Sequence, residues 1–112
     1  MIGTDELASL PQGAVLVNTS RGPLVDLAAL RVALASGHLG GAALDVLETE
    51  PPSPDDPLLS RPDVIVTPHA AFYSVESVAE LQRKAAEQVI EALAGRVPPY
   101  AVNARELGLT GA

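Results

Sequence analysis

Three short stretches carry the residue types that could do chemistry. They are NTSRG (Asn18 to Gly22), ALDVLETEPP (Ala43 to Pro52) and VTPHAAFYS (Val66 to Ser74). Each sets a charged or titratable residue just past a short apolar run: Ala14-Val15-Leu16-Val17, Gly41-Ala42-Ala43-Leu44 and Val64-Ile65-Val66. A buried strand followed at once by a reactive side chain is how an open α/β sheet presents chemistry, at the carboxyl ends of its strands. Arg21, Glu50 and His69 can then meet in one crevice, although the chain spreads them widely.

The planar guanidinium of Arg21 can grip a carboxylate at two points and polarise an adjacent carbonyl, or it can brace the turn before Gly22-Pro23. An imidazole can take a proton from an alcohol and return it to a carbonyl oxygen, so His69 after Pro68 is a candidate acid/base. The other reading of His69 is a histidine satisfied by a loop carbonyl. Glu50 can pair with His69, favour its charged form and fix its tautomer, or it can be a solvated loop carboxylate, as Glu48 is expected to be. Asp45 reads as lying inside the second strand. A carboxylate there needs a partner, and either a ligand amide or a neighbouring backbone donor serves. His38, beside Gly37 at a helix end, reads as solvated. No G-x-G-x-x-G or G-x-x-x-x-G-K-[ST] occurs. The two histidines are far apart and no ligand spacing is present, so no metal is expected.

The elements that must position these residues can be read from periodicity and breakers. Thr4 can cap a short helix, with Asp5 and Glu6 in its first turn, and Pro11-Gln12-Gly13 stops it. Ala14 to Asn18 reads as a buried strand. Asp26 can cap a second helix in which Leu27, Leu30 and Leu34 form one face and Gly37 is the stop. Gly40-Gly41 then leads into a strand from Ala42 to Val46. Five prolines between Glu50 and Pro62 demand a loop, ordered or mobile. Val64 to Thr67 is a third strand. Ser74 can cap a long helix to about Ala94, with Val78, Leu81, Ala85, Val89 and Leu93 on one face; Gly95 ends it. Val97 to Tyr100 reads as extended and Leu107 to Ala112 as a weakly specified tail. Strands alternating with helices imply an α/β fold with a parallel sheet and right-handed crossovers. Three strands make a small sheet whose two faces both need cover, part of which is expected to lie outside the chain.

Composition bounds the rest. The 112 residues suit one domain, and with 47% hydrophobic and 19% charged residues the chain can bury a core. Aromatics are only 3%, so that core is aliphatic. The net charge of -7 argues against nucleic acid, which selects a basic face. There is no cysteine, and hence no disulfide framework or thiolate metal site. No apolar run approaches the length of a membrane span, and no secretion signal is visible, so the expected location is cytoplasmic.

Read together, GAVLVNTSRGPLVDLAALRVAL, GGAALDVLETEPP and DVIVTPHAAFYS, in that order, resemble the C-terminal part of the D-isomer-specific 2-hydroxyacid dehydrogenases. That family includes phosphoglycerate, glycerate and D-lactate dehydrogenases and the C-terminal-binding-protein corepressors; the AAFYS wording is closer to the corepressor-like branch. The resemblance implies a partial Rossmann-like parallel sheet over residues 1–103, the C-terminal half of a doubly wound dinucleotide-binding domain, with 104–112 as a tail. It implies hydride transfer between NAD, with NADP not excluded, and a 2-hydroxy or 2-keto acid. By position Arg21 resembles the arginine that binds substrate, Glu50 the catalytic glutamate and His69 the acid/base. Asp45 would hold the nicotinamide carboxamide with the Thr19 carbonyl nearby. Ser20, Arg21, and the backbone from His69 through Ala70 and Ala71 to Phe72 would line the cofactor site, with Phe72 bordering the substrate. The family often dimerises through its cofactor domain, which leaves a homodimer open. The G-x-G-x-x-G loop and the substrate domain have no counterpart in the sequence, so the chain alone is expected to show little or no turnover. The competing readings are a corepressor-like interaction module that uses the Ser74 to Ala94 helix, and a truncated product with no independent function.

Overall fold

A computed structural model of the chain describes residues 1–106, 108 and 109. They fall into two compact units, Met1–Ala71 and Phe72–Ala112.

The first unit is built on a three-stranded sheet in the order β1 (Ala14–Asn18), β2 (Leu39–Leu44), β3 (Val64–Val66). Both pairings are parallel, with a helix in the β1–β2 connection and the proline-rich loop in the β2–β3 connection. Helices α1 (Thr4–Ser9) and α2 (Leu27–Ala35) supply the cover. Asp26 caps α2 by accepting the Ala28 and Ala29 amides at 2.8 and 3.0 Å, which satisfies two donors the helix cannot. Leu27, Leu30 and Leu34 are buried along one side of α2 and join Leu7, Val25, Leu39, Leu44 and Leu58 in a single aliphatic core. Glu6 reaches back to the Gly3 amide at 2.8 Å, so the residue at the cap of α1 is Gly3 and not Thr4.

Strand β2 begins three residues before the Ala42 start read from the sequence and ends two before Val46. Gly40-Gly41 lies within it rather than leading into it. A Cβ on Gly40 would stand 2.6 Å from the Gly13 carbonyl oxygen, and one on Gly41 2.7 Å from that of Asp63. The glycines are there because neighbouring backbone approaches closely, not to turn the chain. Asp45 falls one residue past the strand end, not inside it. Its amide still bonds to the Asn18 carbonyl of β1 at 2.9 Å, while its carboxylate gathers donors from the segment after β3. Val17, Ala43 and Ile65 stand in one row across the sheet. Val17 and Ile65 in that row are exposed.

The proline-rich loop after β2 is ordered by specific contacts. Asp56 accepts the Leu58 amide at the head of a short 3₁₀ turn (Pro57–Ser60), which buries Leu58. Both carboxylate oxygens of Asp56 take Arg31 Nη2, at 3.0 and 2.8 Å. Arg61 pairs with Asp63 and donates to the Leu34 carbonyl at 3.1 Å. His38 is not a solvated histidine: its Nε2 lies 3.1 Å from the Leu7 carbonyl and ties the end of α2 to α1. The Leu7 carbonyl lies in the last turn of α1, where it also accepts the Leu10 amide at 3.3 Å, and the imidazole is a second donor within reach.

The second unit is dominated by α3 (Val75–Leu93). Ser74 caps it by accepting the Ser77 amide at 3.0 Å, and Gly95 follows it at φ 72°. The apolar face read from the sequence exists at helical spacing, but Leu81, Val89 and Leu93 are exposed. Exposed Glu80–Lys84 and Arg83–Glu87 pairs brace the helix. Past the helix the chain turns instead of running extended: the Ala101 amide bonds to the Pro98 carbonyl at 3.1 Å. Tyr100 is held there by its amide on Gln88 Oε1 and by Lys84 above its ring. Of the tail read from the sequence, Leu107 and residues 110–112 lie outside the described residues. No helix of the described residues is long and apolar enough to cross a membrane.

Candidate functional site

The carboxyl ends of β1, β2 and β3 open onto one region of the first unit. Past β1, Asn18 is buried and shapes the turn that carries Arg21. Its Oδ1 accepts the Ser20 amide at 3.0 Å and its Nδ2 donates to the Arg21 carbonyl at 3.0 Å. This is an Asx-type turn, in which the side chain satisfies backbone that has just left the ladder. The Arg21 guanidinium is exposed, with Nη1 on the Ser20 carbonyl at 2.7 Å.

Past β2, Asp45 is buried and surrounded by donors from the segment after β3. Thr67 Oγ1 donates to Oδ1 at 2.5 Å, the Ala70 amide donates to Oδ1 at 2.9 Å, and the Ala71 amide donates to Oδ2 at 2.8 Å. Of the two partners open to it, Asp45 has taken the backbone donors, and Thr67 adds a third. The Thr67 hydroxyl, then the Ala71 and Ala70 amides, hold its carboxyl below the usual carboxylate range.

Past β3, His69 sits at φ 53°, in the left-handed region that residues with a Cβ seldom adopt. Its Nδ1 lies 2.8 Å from Glu50 Oε2. The other oxygen of Glu50 takes the Leu47 amide at 2.8 Å, so both are engaged. The imidazole first, and the Leu47 amide second, hold the Glu50 carboxyl below its ordinary value.

Arg21, Glu50 and His69 line one concavity of about 180 Å³, together with Gly22, Leu47 and the exposed Glu48. A second cavity of about 300 Å³ has an apolar floor of Val17, Ala43 and Ile65 and a rim of Thr19, Asp45, Ala70 and Ala71. Ser20 contributes its backbone to the Asn18 turn. Phe72 belongs to the second unit, where its ring meets Tyr73 edge to face at 5.9 Å.

Residues 1–71, the same residues as the first compact unit, match the model of the NAD-binding domain of D-isomer specific 2-hydroxyacid dehydrogenases. The chain belongs to this family. A glyoxylate reductase of Korarchaeum cryptofilum is 47% identical over 103 residues, a match covering 92% of this chain and 31% of that protein. A D-isomer specific 2-hydroxyacid dehydrogenase of Xanthobacter autotrophicus Py2, crystallised with NADPH and MES, superimposes with a TM-score of 0.80 at 39% identity, over 94% of this chain and 43% of that one. An NADPH-dependent glyoxylate/hydroxypyruvate reductase of Sinorhizobium meliloti, solved with NADP and malonate, gives a TM-score of 0.72 at 39% identity, over 80% and 28%. The chain thus spans 31% of the length of the Korarchaeum relative it matches.

Within the dehydrogenase domain, sequence reading picked out Arg21, Glu50 and His69, and the fold brings them together. It passed over Asn18 and Thr67 as acting residues. Asn18 carries a local signal, an Asn two residues before a free amide at a strand end. Thr67 acts on a partner 22 residues away, which no local signal reveals.

The lowered carboxyls make a pH prediction. A carboxylate held low in the folded chain stabilises it above the unfolded value of about 4, and that contribution disappears as pH falls through the folded value. Asp45→Asn cannot accept from all three donors, so it should lower the urea midpoint at pH 7. The gap between wild type and variant should narrow steadily as pH falls below about 4. A gap that stays constant or widens on acidification would contradict an Asp45 held ionised by these three donors.

Proposed function

We propose that this chain supplies the nicotinamide-facing, proton-transferring side of a D-2-hydroxyacid dehydrogenase, with residues 1–103 as the C-terminal half of its nucleotide-binding domain and 104–112 as a tail. The observation that carries this reading is the His69 Nδ1 to Glu50 Oε2 contact of 2.8 Å in a concavity that Arg21 shares. With Nδ1 engaged by the carboxylate, Nε2 is the nitrogen left to take the hydroxyl proton of a 2-hydroxy acid, or to give a proton to the carbonyl oxygen of a 2-keto acid. Glu50 fixes that tautomer and offsets the charge His69 gains. Arg21 keeps donors beyond the one on Ser20, enough to grip a substrate carboxylate.

The cofactor site of the reading is the cavity over Val17, Ala43 and Ile65. Its small, apolar floor suits a flat ring, and Thr19, Asp45, Ala70 and Ala71 offer polar groups around it; Ser20 and His69 are read into the same site from the motifs they stand in. When bound, the nicotinamide of NAD or NADP supplies the hydride acceptor or donor. Among the described residues Oδ2 of Asp45 takes the Ala71 amide alone, which leaves that oxygen a lone pair for one further donor. The glyoxylate reductases among the relatives support a small 2-keto acid as the substrate class. The acidic balance of the chain favours such a small-molecule partner over nucleic acid.

The test is a titration of the nitrogen-15-labelled chain with NADH, followed by amide spectra. Thr19, Ala70 and Ala71 signals should move saturably. Because no G-x-G-x-x-G is present to cradle a pyrophosphate, the Kd should be weak, on the order of 1 mM. A dispersed spectrum indifferent to NADH well above that concentration would end the reading.

A further inference from the structure

We infer that Thr67 is a positioning residue for His69, acting through the Asp45 carboxylate. The inference rests on the acid/base reading of His69 and adds what sets its geometry. His69 is held in an unfavourable backbone region, φ 53°, so something outside the residue must impose it. The imposing contacts all lead to Thr67 and Asp45. The His69 amide bonds back to the Thr67 carbonyl at 3.0 Å, closing a tight turn around Pro68. The next two amides, Ala70 and Ala71, converge on the two oxygens of Asp45 at 2.9 and 2.8 Å. Two successive amides can share one carboxylate only if the chain bends sharply between Pro68 and Ala70, which is the bend at His69.

Asp45 would be a poor anchor without Thr67. The 2.5 Å bond from the Thr67 hydroxyl fixes the carboxylate's rotation, so that Oδ1 faces Ala70 and Oδ2 faces Ala71. It is also the largest cause of the lowered Asp45 pKa, which keeps the carboxylate an acceptor for all three donors. The product of the clasp is the direction of the imidazole: Nδ1 faces Glu50, and Nε2 is left for chemistry. Thr67 is exposed, so a methyl in place of its hydroxyl leaves the core untouched.

The two histidines make the test internal. In His38 it is Nε2 that faces a carbonyl, at 3.1 Å from Leu7, so this nitrogen must carry the proton. In His69 it is Nδ1 that faces the carboxylate, so the opposite tautomer is expected. Long-range proton–nitrogen spectra of the labelled chain, recorded about 1.5 pH units above an ordinary imidazole's value of about 6.5, separate the two forms. In Thr67→Val, His69 should lose its excess of the Nδ1-protonated tautomer while His38 keeps its own. Thr67→Ser, which retains the hydroxyl, should restore the wild-type His69 pattern.

An unchanged His69 tautomer in Thr67→Val would overturn the inference. So would a change in both histidines, which would make the hydroxyl a support for the whole unit. The spectra contain neither NADH nor acid, so they decide the role of Thr67 on their own. A clasp that behaves as described, in a chain that ignores NADH, would remove the catalytic reading and leave the clasp standing.

Discussion

Leu30→Ala is expected to cost the first unit about 3–5 kcal/mol, the range for a fully enclosed leucine whose surroundings cannot collapse into the space left. Leu30 has no exposed surface and belongs to the core cluster that includes Leu7, Leu27, Leu34, Leu39, Leu44 and Leu58. Most of these neighbours are fixed by α1, α2 or β2, which limits relaxation. A unit of this size holds about 4–11 kcal/mol in all, so the change removes a large share. It should lower Tm by about 12 °C or more. Val32 on the same helix is 67% exposed and serves as the control: Val32→Ala should stay within about 0.5 kcal/mol of wild type. Urea denaturation of both variants checks the pair. Equal losses would mean that α2 does not bury the face described here.

That face was legible in the sequence because its information is local. Leu27, Leu30 and Leu34 repeat at the helical period, and Asp26 stands where a cap belongs. The order of elements and the parallel sheet follow from the same alternation. The bounds of β2 were less legible. Gly40-Gly41 looks like punctuation to any local rule, yet both glycines are strand residues, because Gly13 and Asp63 bring backbone within 2.6 and 2.7 Å of where a Cβ would stand. Those neighbours come from 27 and 22 positions away, and nothing in the dipeptide records them. The turn at Pro98 to Ala101 was hidden for a related reason: it depends on Gln88, a helix residue, reaching the Tyr100 amide.

The site divides in the same way. Arg21, Glu50 and His69 could be raised as candidates because each follows an apolar run and strand ends collect chemistry, but spacing left each a structural alternative, and it was the resemblance of the three motifs that singled them out. The contact that makes a pair of Glu50 and His69 could be raised as a possibility from residue types, but its 2.8 Å geometry depends on the left-handed turn at His69. That turn depends in its turn on Asp45, which the sequence left between a ligand amide and a neighbouring backbone donor and which the fold surrounds with Thr67, Ala70 and Ala71. A carboxylate in an apolar run announces that it has a partner. It does not announce which one.

Gly22→Ala is expected to disturb both the stability of the first unit and its site, through one added carbon. The backbone of Gly22 is not in the left-handed region, so alanine meets no dihedral penalty there. The obstacle is space: its Cβ would overlap the Leu47 carbonyl and come within 2.6 Å of the Glu48 nitrogen. These are backbone atoms and cannot swing aside as a side-chain tip would. Either the Arg21–Leu24 turn or the Leu47–Glu48 peptide must move, which should cost about 3 kcal/mol or more, the upper end for overpacking. If the peptide moves, the Leu47 amide leaves Glu50 Oε1, and the carboxylate facing His69 loses one of its two anchors. Gly37→Ala is the comparison, since Gly37 has φ 71° and open space around its Cβ position. It should cost only the conformational strain of about 1–2 kcal/mol and leave the His69 signals in place. The expected order is therefore a larger Tm loss for Gly22→Ala, accompanied by shifts at His69 and Leu47. A Gly22→Ala chain that melts with wild type and keeps its His69 spectrum would show that the two turns do not pack this closely.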